Sequence, residues 1–176
     1  MIFFPGMALF IFVWCTLDKG PHTVFLTSLV YEAKPDEIVM VASRRLDATR
    51  RSNVFNVSAE GGVVAGGAIA SERYRLTFPR LPGSYTGAGD LCAALLLAWC
   101  YRTHAEYGET GELSEAFERV GATMRAVLQR TNAENVPPGK IRELRLVQSK
   151  ADIETPIVEF RAERIVVSDS DGYGNI

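Results

Sequence analysis

The order of apolar and polar positions predicts short strands in the first half of the chain and two long helices after residue 90. Runs rich in β-branched and aromatic residues are typical of strands. Three runs are of this kind: residues 22–28, 38–43 and 74–78. Residues 91–101 are apolar on nearly every side, so a helix there must be covered on several sides. Residues 114–130 repeat apolar positions at helical spacing, which predicts an amphipathic helix with Ser114 as its N-cap.

The remaining segments complete the predicted architecture. Residues 144–147 predict a short strand and residues 157–167 an extended segment, whereas the glycine-rich residues 52–70 favour a flexible surface insertion. Strands with intervening helices indicate an α/β layer architecture. The chain divides into three expected parts: an apolar segment over 1–19, one α/β domain over 20–167 and a flexible acidic tail over 168–176.

Composition narrows the class of protein. A chain of 176 residues with 47% apolar and 23% charged residues is typical of one globular domain. Its net charge of −2 gives no basic surface, so nucleic acid is not an expected partner. The three cysteines show neither metal-ligand spacing nor a disulfide framework, which fits the reducing cytoplasm. Residues 2–17 are apolar but shorter than the roughly 20 residues of a membrane span, and no basic region precedes them, so no membrane contact is expected.

The strongest candidate for chemistry is the sequence Thr-Gly-Ala-Gly-Asp at residues 86–90, which opens directly into the apolar helix. Two glycines let backbone N–H groups face a ligand without interference from side chains. The start of a helix adds unpaired N–H donors and partial positive charge, which suit an anion. Asp90 then stands beside that anion site as a base, as phosphoryl transfer to a hydroxyl requires. The alternative is that Asp90 only caps the helix.

A pair of hydroxyl side chains is expected near residues 86–90. Thr27 and Ser28 end the first predicted strand, and residues 86–90 follow a later one. Ligands of open α/β sheets bind at the carboxyl ends of strands. The two groups therefore predict one site, in which hydroxyls and glycine amides hold phosphate oxygens while Asp90 faces an acceptor hydroxyl.

Four separated segments resemble the ribokinase superfamily, and pyridoxal kinases in particular. They are residues 20–28, 86–99, 127–131 and 143–154. The last contains Leu-Val-Gln-Ser-Lys followed by Asp-Ile-Glu, which resembles the carboxyl end of eukaryotic-type pyridoxal kinases. The resemblance runs from about residue 20 to about residue 158. It implies the carboxyl-terminal half of a doubly wound sheet within a ribokinase-like three-layer sandwich.

The resemblance implies an activity and a set of residues. Pyridoxal kinases transfer the γ-phosphate of ATP, with Mg²⁺, to the 5′-hydroxyl of the B6 vitamers pyridoxal, pyridoxine and pyridoxamine in vitamin B6 salvage. Asp90 matches the base of this family, and Gly87, Ala88 and Gly89 match its anion hole. Further positions match ATP-binding residues: Thr27, Ser28, Thr86 and, in the adenine pocket, Leu81.

The departures from the family are as informative. Its amino-terminal half carries most of the vitamin pocket and the residues that position magnesium, and nothing in residues 1–19 replaces them. No metal ligand is therefore assigned in this chain, and an incomplete form of the enzyme with weak or no activity alone is expected. The alternative is a non-catalytic module that dimerises with or regulates a full-length kinase, because family members form homodimers. A third hypothesis, a kinase for a hydroxymethylpyrimidine, is disfavoured by residues 146–154.

Overall fold

A computed structural model of the chain describes residues 10–16, 20–46, 71–107, 113–133 and 140–166. The predicted glycine-rich insertion at residues 52–70 and the acidic tail at 168–176 lie outside these ranges. Within them, no helix is long and apolar enough to cross a membrane.

The main sheet has five strands in the order β1-β2-β3-β4-β7, and every neighbouring pair is antiparallel. Its strands are β1 (Phe10–Thr16), β2 (Gly20–Tyr31), β3 (Lys34–Arg45), β4 (Ser71–Pro79) and β7 (Glu163–Arg164). Two further strands, β5 (Ser84–Thr86) and β6 (Ile141–Glu143), form a separate parallel pair. The α/β class is confirmed, but the main sheet differs from the parallel pairing of a doubly wound sheet because β2, β3 and β4 pair as an antiparallel meander.

Two helices of 20 residues dominate the second layer. Helix α1 spans Ala88–Tyr107 and helix α2 spans Leu113–Asn132. A 3-10 turn over Val147–Ser149 leads into the short helix α3, Lys150–Glu154. Both predicted long helices are confirmed. Ser114 lies inside α2 rather than at its N-cap, because the helix already begins at Leu113.

The core lies between the sheet and the two long helices. Phe25 of β2 and Phe117 of α2 face each other with ring centroids 6.0 Å apart. Met40 and Leu76 of the sheet and Trp99 of α1 belong to the same buried cluster. Burial of such large apolar side chains is the main favourable contribution to folding, so this cluster fixes α1 and α2 against the strands.

The last third of the chain departs from two predictions. The prediction of a strand over residues 144–147 is wrong. The amide of Arg145 donates to the hydroxyl of Thr131 at 3.1 Å instead of to a neighbouring strand, and a 3-10 turn begins at Val147. Of the extended segment predicted over 157–167, only β7 joins the sheet. Just before it, the amide of Ala162 donates to the buried carboxylate of Glu118 at 2.8 Å, which ties this segment to α2.

Candidate active site at the start of helix α1

The candidate anion site is formed by the turn that leads from β5 into α1. Gly87 has a φ of +80°, a left-handed conformation that favours glycine, and a Cβ built on it would meet no neighbour within 4 Å. Its carbonyl accepts the first helical hydrogen bond, from the amide of Leu91 at 2.9 Å. The amides of Gly87, Ala88, Gly89 and Asp90 precede that bond and so have no partner within the helix. These N–H donors, those of Gly87, Ala88 and Gly89 among them, lie at the positive end of the helix dipole, where they suit an anion.

Asp90 is the third residue of α1, and its side chain is exposed. The alternative that Asp90 is the N-cap of the helix is wrong. The carbonyl that accepts the first helical hydrogen bond belongs to Gly87, so Gly87 has the N-cap position. An exposed carboxylate in the first turn is stabilised by the helix dipole and is open to a ligand. The position therefore suits a general base that faces a bound hydroxyl.

Thr27 and Ser28 lie in an irregularity of β2 rather than at its end. Leu26 pairs with Val41 and Leu29 pairs with Val39, so Thr27 and Ser28 together oppose the single residue between those partners. This is a β-bulge. The prediction that the two hydroxyls end the strand is wrong, because β2 continues to Tyr31.

The bulge places Ser28 in a strained conformation. Its φ is +62°, and no other described residue besides glycine has a positive φ. A left-handed conformation costs a residue with a Cβ about 1 kcal/mol or more. Such outliers and bulges cluster at functional sites. Thr27 is buried and Ser28 is half-buried.

The predicted residues thus fall into two groups on different elements. Thr86 and residues 87–90 form one continuous turn, whereas Thr27 and Ser28 belong to β2 of the other sheet. Leu81 is half-buried in the connection between β4 and β5. Their joint contact with one nucleotide stays a prediction.

Magnesium has no evident site in the described part of the chain. No three histidine, cysteine, aspartate or glutamate side chains there lie close enough together to hold a metal ion. Mg²⁺ is usually held by one or two carboxylates together with the phosphates of a nucleotide. Among the described residues, the lone carboxylate of Asp90 therefore makes no complete metal site by itself.

Two cysteines of α1 are unsuited to nucleophilic chemistry. Burial raises the pKa of the Cys92 thiol to about 12. Burial also raises the pKa of Cys100 to about 11, although the positive charge of Arg44 opposes the shift. Because the thiolate is the reactive form, both side chains stay inert near neutral pH. Asp90 is thus the better candidate for chemistry on this helix.

Sequence reasoning missed the residues that support the turn. The hydroxyl of Tyr85, on β5, donates to the carbonyl of Pro82 at 2.7 Å, and the side-chain amide of Asn132 donates to the same carbonyl at 2.8 Å. Burial raises the pKa of Tyr85 above its ordinary value of 10.0, against the opposing charge of Arg142, so the hydroxyl remains a donor at neutral pH. No sequence pattern signals the contact of Asn132, which is 50 residues away from Pro82.

Comparison with known proteins gives relatives but no matching family model. The pyridoxal kinase of Ovis aries is 30% identical over 142 residues, which cover 76% of this chain and 44% of that protein. The chain therefore spans less than half the length of this curated relative. The resemblance to pyridoxal kinases expected from the sequence is confirmed.

Solved structures agree on the fold. A pyridoxal kinase from Leishmania donovani, solved with ADP and pyridoxine, superposes with a TM-score of 0.59 at 20% identity, over 84% of this chain and 39% of that one. A putative phosphomethylpyrimidine kinase from Bacteroides thetaiotaomicron gives a TM-score of 0.54 at 19% identity, over 84% and 39%. The expected ribokinase-like α/β fold is confirmed, and it is shared by proteins named for different substrates.

Proposed function

Since this chain is a relative of the pyridoxal kinases over most of its length, we propose that it serves the ATP-dependent phosphorylation of the 5′-hydroxyl of pyridoxal, pyridoxine or pyridoxamine. The observation that carries the proposal is the exposed carboxylate of Asp90 beside the amides of Gly87, Ala88 and Gly89, which have no partner within α1. A phosphoryl group in transfer needs positioned donors, and the acceptor hydroxyl needs a base.

Each residue group has one role in this proposal. Asp90 accepts the proton of the attacking hydroxyl. The amides of Gly87, Ala88 and Gly89 donate to the oxygens of the transferred phosphoryl group, where negative charge is stabilised during transfer. The hydroxyls of Thr27, Ser28 and Thr86 contact the ATP phosphates, and Leu81 lines the adenine pocket.

The chain alone is proposed to be a poor catalyst. Phosphoryl transfer depends on positioning and electrostatic stabilisation. The described residues offer no complete Mg²⁺ site, and the chain spans 44% of the relative's length. Asp90 without a held acceptor hydroxyl gives little rate, so full activity requires the parts of the kinase fold that these residues do not represent.

A second candidate function is favoured by the outer side of α1. The side chains of Leu97 and Tyr101 are 55% and 70% exposed. Large apolar side chains at adjacent turns of a helix form a surface that suits protein contact. The chain then acts as a non-catalytic module that pairs with, or regulates, a full-length kinase.

The two functions are separated by nucleotide binding and turnover. The purified 176-residue protein is titrated with ADP by calorimetry, and pyridoxal 5′-phosphate formation is followed with ATP and pyridoxal. We expect ADP binding, with any turnover reduced about 100-fold or more in Asp90→Asn. The matched control Asp36→Asn changes an exposed aspartate on β3 and should leave both quantities unchanged.

Four results bear on the choice. Absence of ADP binding to the wild-type protein overturns the nucleotide site. Slow turnover that Asp90→Asn abolishes supports the kinase function, whereas ADP binding with no detectable turnover, and with a Kd that Asp90→Asn leaves unchanged, favours the non-catalytic module. Turnover that survives Asp90→Asn removes the carboxylate from the mechanism while leaving the phosphate turn in place.

A further inference from the structure

The turn before the anion site is held by two hydrogen bonds to one atom. The carbonyl oxygen of Pro82 accepts from the hydroxyl of Tyr85 at 2.7 Å and from the side-chain amide of Asn132 at 2.8 Å. A carbonyl oxygen has two lone pairs, so its capacity is filled. Tyr85 belongs to the turn's own strand, whereas Asn132 is the last residue of α2. The Asn132 bond therefore ties the end of a packed helix to the segment that enters the anion site.

The strand between this carbonyl and the anion site is short. β5 has three residues and pairs in parallel with β6 at Ser84↔Ile141, Tyr85↔Arg142 and Thr86↔Glu143. An isolated pair of such strands has marginal stability. Bonds from outside the pair are therefore important for where Gly87 and the following amides lie.

The backbone conformation at Gly83 limits the freedom of the turn. Its φ is +127°, and a Cβ built there would lie 2.6 Å from Nη1 of Arg142 and 3.1 Å from the hydroxyl of Tyr85, both at the ends of side chains. Glycine is required for this conformation. The chain is thus fixed at Pro82 and Gly83, four to five residues before the first free amide of the anion site.

We propose that Asn132 is a positioning residue for the phosphate-binding amides, acting through the carbonyl of Pro82. The inference rests on the proposed function, because the ligand it serves is the phosphate chain of a nucleotide. The core holds α2 rigidly, with Val127 and Thr131 of its last turns fully buried or nearly so. Asn132 transmits that fixed position to β5, so that the amides of residues 87–89 are in place before the nucleotide arrives. Preorganised donors bind without the cost of ordering the loop.

The test uses a change that removes the donor and keeps the size of the side chain. Asn132→Asp places a carboxylate oxygen against the carbonyl of Pro82. Gln129→Glu is the matched control, because it makes the same amide-to-carboxylate change on an exposed side chain of the same helix turn. Tyr85→Phe removes the other donor with little change of shape, and Asn132→Gln restores an amide donor.

Two measurements are made on each protein: hydrogen exchange of the amides of residues 84–91 without ligand, and the Kd for ADP. We expect Asn132→Asp to speed exchange in this segment and to weaken ADP binding about tenfold, the effect of one lost hydrogen bond. Tyr85→Phe should act in the same direction, Asn132→Gln should recover part of the loss, and Gln129→Glu should match the wild type. Equal thermal midpoints for Asn132→Asp and Gln129→Glu show that the effect is local.

Every other pattern contradicts the inference in a recognisable way. Unchanged exchange in Asn132→Asp overturns the positioning role whatever the ADP affinity is. Faster exchange with unchanged ADP affinity overturns it and leaves the proposed function intact. Faster exchange in a protein whose wild type does not bind ADP overturns the proposed function, and with it the phosphate role of Asn132, while the contact with Pro82 is confirmed as structural only.

Discussion

Helices α1 and α2 have the same length and pack on each other, yet they differ in the apolar surface that they expose to solvent. α2 is amphipathic, and its buried residues recur along one side. α1 is apolar on nearly all sides, and Leu97 and Tyr101 remain exposed. In the described part of the chain, the apolar side of α2 is therefore buried, whereas the apolar surface of α1 is buried only in part. The helix that begins at the candidate site is thus the one with apolar surface left for further contacts.

The largest expected effect lies on the buried side of α2. Phe117 is fully buried and faces Phe25 across the boundary between helix and sheet. Phe117→Ala leaves a cavity there, and we expect the free energy of unfolding to fall by about 3–5 kcal/mol. Urea denaturation followed by circular dichroism measures this change.

The control for that experiment is Tyr101→Ala on the outer side of α1. With 70% of the side chain exposed, its truncation should change the free energy of unfolding by about 0.5 kcal/mol or less. Similar losses in the two variants would contradict the comparison, because they would mean that both helices are covered equally in solution.

A smaller effect is expected at Gly121, where α2 packs on Leu76 of β4. A Cβ on Gly121 would lie 2.5 Å from Cδ2 of Leu76, a side chain that is only 1% exposed. Alanine gains about 1 kcal/mol of helix propensity over glycine, but overpacking costs about 1–3 kcal/mol. We therefore expect Gly121→Ala to lower the free energy of unfolding by about 1 kcal/mol in urea denaturation.

The neighbouring change Ala122→Gly separates propensity from packing. Ala122 is half-buried on the same helix, and its replacement should cost about 1 kcal/mol through propensity. If Gly121→Ala stabilises the protein by a similar amount, propensity governs both positions. Leu76 would then have room to move, and the close approach of α2 to β4 would be absent in solution.

Features encoded by neighbouring residues could be predicted from the sequence. The turn at residues 86–90 and the two long helices depend on glycine conformation, helix starts and apolar spacing, all of which are local. The bulge at Thr27 and Ser28 could not be predicted, because it is defined by the register of β2 against β3. Strand pairing is set by contacts between distant residues, which a single run of apolar positions does not specify.

Polar contacts between residues that lie far apart in the sequence could not be predicted either. Glu118 lies on the amphipathic helix α2, yet it is buried and accepts from Arg161 at 2.7 Å and from the amide of Ala162 at 2.8 Å. Its partners are more than 40 residues away. A buried carboxylate is tolerated only with such donors, and periodicity alone treats it as a surface residue. The contact of Asn132 with Pro82 escaped prediction for the same reason.

The smallest single effect is expected at Leu97, and a comparison with Leu96 tests the two sides of α1 directly. Leu96 is 4% exposed and Leu97 is 55% exposed, although they are adjacent. Glutamine favours helices almost as well as leucine, so a Leu→Gln exchange at either position reports mainly on burial. We expect Leu97→Gln to change the free energy of unfolding by about 0.5 kcal/mol or less, and Leu96→Gln to lower it by about 2–5 kcal/mol. Equal losses at the two positions would show that the outer side of α1 is already covered in solution, and the second candidate function would lose the surface on which it depends.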